Sequence, residues 1–98
     1  MIWEKTKKGV LEVGEEKFPF EIKVPTALEM EDIVDNAVIR ESGNVKLRSS
    51  YIVKKCLLSI EGFKDAEEFL NTPGTAALVN ALGNIIVDAG TLKVELKN

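Results

Sequence analysis

Ninety-eight residues, 45% hydrophobic and 30% charged, are enough for one domain with a modest core. A net charge of −3 argues against broad attraction to nucleic acid or anionic membrane. The chain contains no histidine, so the commonest general base and the commonest metal ligand are both missing.

Met1–Lys8 carries Ile2 and Trp3 and then a basic cluster, without the continuous apolar stretch of a signal peptide. Val10–Val13 and Lys17–Val24 read as strands. In the second, Phe18, Phe20, Ile22 and Val24 alternate with Pro19, Glu21 and Lys23. Gly14-Glu15 fits a two-residue turn that opposes Leu11 to Phe18. Pro19 has no amide hydrogen, so its strand is at an edge or its nitrogen faces away from a partner.

Thr26-Ala27-Leu28-Glu29 is a capping-box signature after Pro25 and predicts a helix to about Arg40 or Glu41. Met30, Ile33, Val34, Ala37 and Val38 form its apolar stripe. Ser42-Gly43-Asn44 is a turn, and a second helix is expected from Val45–Ser49 onward. Its centre is Tyr51–Phe63, where Ile52, Val53, Cys56, Leu57 and Ile60 recur at helical spacing. Gly62 is placed to stop it and Phe63 to fold back on Leu58.

Asp65-Ala66-Glu67-Glu68 opens a short helix around Phe69 and Leu70, and Asn71-Thr72-Pro73-Gly74 breaks it. Thr72 is the expected cap of a last helix with Pro73 at its first position. That helix runs to about Asp88 on a core stripe of Leu78, Val79, Leu82, Ile85, Ile86 and Ala89. Gly83, with Ala76 and Asn80, makes a narrow strip for close backbone approach, unless the glycine lies on an exposed face. Gly90 ends the helix. Thr91–Lys97 alternates Leu92, Val94 and Leu96, the pattern of a third strand that could join the hairpin.

The expected architecture is a single α+β domain over residues 1–98. A β-hairpin occupies 1–24, a helical body of three main helices and one short helix 26–89, and a C-terminal strand 91–97. The single cysteine, Cys56, falls on an apolar helix face, where burial would raise its pKa and keep it inert. With no internal disulfide available, a reducing compartment, the cytoplasm, is expected.

Candidate chemistry is sparse. Glu29, Glu31, Asp32 and Asp35 could hold a hard cation but read better as a solvated helix face. Ser42–Lys46 lacks the glycine spacing of a phosphate loop and reads as a turn. Tyr51, Lys54 and Lys55 could touch a nucleic acid, though the lysines fit equally along the acidic helix. No catalytic residue, cofactor or metal site is expected.

The order FPFEIKVP, TALEMEDIVDNAV, YIVKKCLLSIEGF, KDAEEFLNTPG and TAALVNALGNIIVDAG resembles the small tail assembly chaperones of long-tailed bacteriophages, over about Phe18 to Gly90. The alternating tail Thr91–Lys97 departs from that pattern. The resemblance implies a non-enzymatic protein of a phage or prophage in the host cytoplasm. Its partners would be the tape measure protein and tail tube subunits, and it would be absent from the finished tail. It also implies a longer form made by ribosomal frameshifting. A chaperone of this kind should expose apolar side chains, and Ile2, Trp3, Leu92, Val94 and Leu96 are the candidates. Trp3 could instead pack onto the hairpin. The rival reading is a small cytosolic regulatory adaptor whose basic patch contacts nucleic acid. Self-association through strand edges or the Gly83 strip is compatible with the chaperone reading.

Overall fold

The computed structural model describes residues 3–91. It begins with the hairpin of β1 (Thr6–Val13) and β2 (Glu16–Lys23), closed by Gly14 at φ 61° and Glu15. Leu11 faces Phe18, as the two-residue turn requires. Leu11, Phe20 and Ile22 turn inward and are buried, whereas Val13, at the turn end of the same face, stays exposed. The Phe20 ring lies over Gly9, where an added Cβ would meet it at 2.6 Å, so the glycine leaves room for the aromatic.

β2 is the central strand of a three-stranded sheet ordered β1-β2-β5, with β5 spanning Leu57–Ile60. Pro19 is tolerated there because its nitrogen faces away from β1. Its carbonyl points to the β5 side and accepts the Glu61 N–H at 2.9 Å, beyond the end of β5. The expected pairing of Thr91–Lys97 with the hairpin concerns residues outside those described, apart from Thr91.

The central stretch departs from expectation. The helix α2 is only Ser49–Cys56, and the chain then straightens directly into β5. Ile22 pairs with Leu57, Glu21 with Ser59 and Phe20 with Ile60, leaving Leu58 as the extra residue of a β-bulge. The bulge puts Leu57 and Ile60, three positions apart, on one face. That spacing imitates a helix, which is why the sequence pattern continues the expected helix from Leu57 to Glu61 where the chain forms a strand. Gly62 does adopt φ 95°, in the turn after a strand, and Phe63 packs edge-to-face on Phe69 at 5.0 Å, while Leu58, its expected partner, is half exposed.

The helix α1 (Ala27–Ala37) starts at the expected capping box and stops earlier than expected. Val38–Glu41 (β3) and Asn44–Leu47 (β4) form a separate two-stranded hairpin in place of the helical segments expected there. Ser42 at φ 47° and Gly43 at φ 82° make the tight turn. A lone hairpin is marginal in water. This one is held at its base by the Arg48 N–H donating to the Ala37 carbonyl at 2.7 Å and by Leu47 packing on the core.

α3 (Ala66–Asn71) is capped by Asp65, which accepts the Glu68 N–H at 2.8 Å. Thr72 does not cap the next helix. Its hydroxyl donates to the Glu68 carbonyl, Gly74 turns at φ 91°, and α4 begins only at Ala76 and runs to Ala89. Ile33 and Ala37 of α1, Ile52, Val53 and Cys56 of α2, Phe69, and Val79, Leu82 and Ile86 of α4 cover the inner sheet face as one core. The fold is α+β, with three longer helices and one short one.

Candidate functional site

Two surface features gather the side chains that the core leaves over. The first lies along α1. Thr26 Oγ1 accepts the Glu29 N–H at 3.2 Å, and the Thr26 N–H donates to Glu29 Oε1 at 3.0 Å. Glu29 Oε2 takes the Lys23 ammonium at 2.7 Å, which ties the end of β2 to the start of the helix. Lys23 foremost, then the Thr26 amide, holds the Glu29 carboxyl below its usual range.

On the next turn Asp32 accepts from Tyr51 Oη at 2.7 Å, Lys55 Nζ at 2.8 Å and Asn36 Nδ2 at 2.7 Å, joining α1 to α2. Its pKa is lowered, by Lys55 first and Tyr51 second, and those of Lys55 and Tyr51 are raised by Asp32. Two of the four carboxylates considered as cation ligands therefore serve the fold. Tyr51 and Lys55, considered for nucleic acid, are bound to the same carboxylate.

With Ile33 and Ala37 buried, α1 still leaves two apolar side chains in solvent, about 120° apart around the helix with Glu31 and Asp35 between them. Leu28 is 77% exposed and Val34 50% exposed. Val34, Ala27 and Met30 line an open groove of about 620 Å³ bordered on the far side by Gly90 and Thr91. Gly90 lets the end of α4 come close to α1: a Cβ there would meet Met30 Sδ at 2.7 Å and Pro25 Cγ at 2.8 Å. Glu31 and Asp35 border the groove, and neither has an ion-pair partner among the described residues. An apolar floor with carboxylates at its rim can seat an amphipathic segment carrying basic residues.

The second feature is a groove of about 530 Å³ between the β3–β4 hairpin and the first turns of α2 and α4. Ile39, Leu47, Leu70 and Val79 supply its apolar part, and Lys46 and Arg48 its charge. Neither helix has an acidic residue in its first turn or a side-chain cap. Positive partial charge from both helix ends therefore adds to the two cations. This groove was missed in the sequence because the hairpin that walls it was missed. The readable signal was Val38-Ile39 and Asn44-Val45-Lys46-Leu47 flanking Ser42-Gly43.

Of the expected partner-binding residues, Trp3 is 70% exposed and does not pack down onto the hairpin. Ile2, Leu92, Val94 and Leu96 lie outside the described residues. Cys56 is buried, and burial pushes its thiol pKa up. Gly83 is also buried, with the start of α2 lying against it, whereas Ala76 and Asn80 of the same expected strip are exposed at the second groove. No helix among the described residues is long and apolar enough to cross a membrane. Compared with protein-family models, curated proteins and solved structures, the chain matches none.

Proposed function

We propose that this chain is a tail assembly chaperone of a long-tailed bacteriophage or prophage. It would hold the tape measure protein and tail tube subunits during morphogenesis and be absent from the finished tail. The resemblance read from the sequence suggests the reading, except over the second half of YIVKKCLLSIEGF, which is strand β5, and over the β3–β4 hairpin. Exposed Val34 beside the groove of α1 carries the reading. Val34 is half exposed at the groove although α1 already has a buried face, so the helix can bind the core and still offer an apolar contact to a partner. Glu31 and Asp35 beside Val34 favour partner segments with basic residues along an apolar stripe. The test is co-expression with the tape measure protein of the phage or prophage that carries the gene. Soluble complex should form with the parent chain and be lost with Leu28→Asp/Val34→Asp. Full retention of the complex by that variant would refute this surface as the binding face.

The second reading is the nucleic-acid adaptor, favoured by one observation: Lys46 and Arg48 beside two helix starts that lack acidic residues. Nucleic-acid binding that weakens steeply with salt and falls further in Lys46→Ala/Arg48→Ala would favour it over the first.

A further inference from the structure

Among the described residues β1 is an open edge of the sheet, and the hairpin register fixes which of its groups are left over. The turn is two residues long, so Val13 and Glu16 exchange both backbone bonds. Alternate pairs do the same: Leu11 with Phe18, Gly9 with Phe20, Lys7 with Ile22. The Val24 N–H donating to the Lys5 carbonyl at 2.9 Å continues the series. Thr6, Lys8, Val10 and Glu12 therefore turn their N–H and C=O groups toward the open edge. Their side chains share the outer sheet face, opposite to buried Leu11.

We propose that this edge pairs antiparallel with the same edge of a second copy of the chain, about a two-fold axis at Val10. Backbone bonds can form across the seam only where outward residues oppose outward residues. Centring on Lys8 sets two ammonium groups against each other, and centring on Glu12 sets two carboxylates, both unfavourable. Moving the axis to Gly9 or Leu11 faces Val10 with a charge. Centring on Val10 alone opposes Lys8 to Glu12 of the second copy and Glu12 to its Lys8, with the two Val10 side chains in contact between them. The same register lets all three opposed pairs exchange both backbone bonds.

Lysine on an edge strand normally discourages pairing. Here Lys8 and Glu12 are placed symmetrically about Val10, so the edge repels other registers and complements itself. The contact is isologous and closes as a dimer, joining the two three-stranded sheets into one. It is independent of the chaperone reading.

Sedimentation equilibrium of the full chain up to millimolar concentration tests it, with far-UV circular dichroism as a check on folding. A monomer–dimer equilibrium is expected. Val10→Pro removes an amide that faces only the open edge, and should weaken the dimer at least about tenfold with the fold intact. Lys8→Glu and Glu12→Lys should each weaken it about tenfold, and the double exchange should return it to near the parent value. The exchange stands on exposed side chains, but Glu12 also lies 3.9 Å from Lys17, and Lys8 is registered opposite Glu21 within the hairpin. Circular dichroism must therefore show each charge variant folded, and then the exchange decides the matter even where the proline variant fails to fold. A parent chain that stays monomeric overturns the proposal, and that includes the case in which residues 92–98 of the same chain occupy the edge. A dimer that the double exchange does not restore overturns it as well.

Discussion

A Cβ added to Gly83 would lie 3.1 Å from the Cα of Ser49 and 2.6 Å from its Oγ, so α4 meets the start of α2 where α4 has no side chain. Glycine inside a helix costs about 1 kcal/mol against alanine, and an exposed Gly→Ala change would recover it. At Gly83 the methyl group would be forced against α2, and overpacking of this kind costs about 1–3 kcal/mol. Gly83→Ala should therefore lower stability on urea unfolding, despite its better helix propensity. Asn84→Ala, on the exposed side of the same turn, should be neutral or slightly stabilising.

The Asp32 cluster gives the fold a defined pH profile. Asp32 and Glu29 have lowered pKa values, so their stabilisation is complete above the ordinary carboxylate range. It is lost as the pH falls below about 4 and through the folded-state values. Lys55 and Tyr51 have raised values, so theirs is complete below their ordinary values and lost as the pH climbs above about 10. Thermal unfolding should show a broad plateau with a fall at each end. Asp32→Asn should flatten the acid limb only in part, because the pairing of Glu29 with Lys23 remains.

Capping chemistry was legible where it is decided within four residues. Thr26 and Glu29 close the full box, and Asp65 takes the Glu68 N–H while the Glu68 carboxylate turns to the Lys64 N–H. Thr72, whose role depends on where α4 starts, caps nothing there. The hairpin register was legible for the same reason, since a two-residue turn leaves no freedom in pairing Leu11 with Phe18. The failures lie where a local pattern has two tertiary solutions. Leu57 and Ile60 satisfy a helix and a bulged strand equally, and only the edge offered by β2 decides between them. Gly83 was open in the sequence between a close approach and an exposed face, and only the placement of Ser49 at the start of α2 decides for the first. The apolar side of α1 could be read only in part. Met30, Ile33, Val34 and Ala37 look alike as a stripe, and which of them stay exposed depends on where α4 ends.

The β3–β4 turn should be improvable. Ser42 sits at φ 47°, a conformation uncommon for residues other than glycine and more accessible to asparagine. Ser42→Asn gives the Asn-Gly pair that two-residue hairpins favour and should raise stability by a few tenths of a kcal/mol, up to about 1. Gly43→Ala, at φ 82°, should lower it by more than that. Chemical denaturation of the two variants beside the parent measures both effects.

Cys56 should report on opening of the core. It is 1% exposed at the end of α2, packed among the buried residues of the sheet and the helices. Burial raises its pKa, so the thiolate that reacts with disulfide reagents is scarce as well as inaccessible. Labelling in native buffer should be far slower than in denaturant and should follow the unfolding equilibrium as urea is added. A raised thiol pKa also means that its contribution to stability is intact below the ordinary thiol range and lost as the pH rises through the folded value. Cys56→Ala should cost about 1 kcal/mol through lost packing. Cys56→Ser should cost more, because it also buries a hydroxyl where the surrounding side chains are apolar. Fast native-state labelling with no change in circular dichroism would show that α2 separates locally from the sheet.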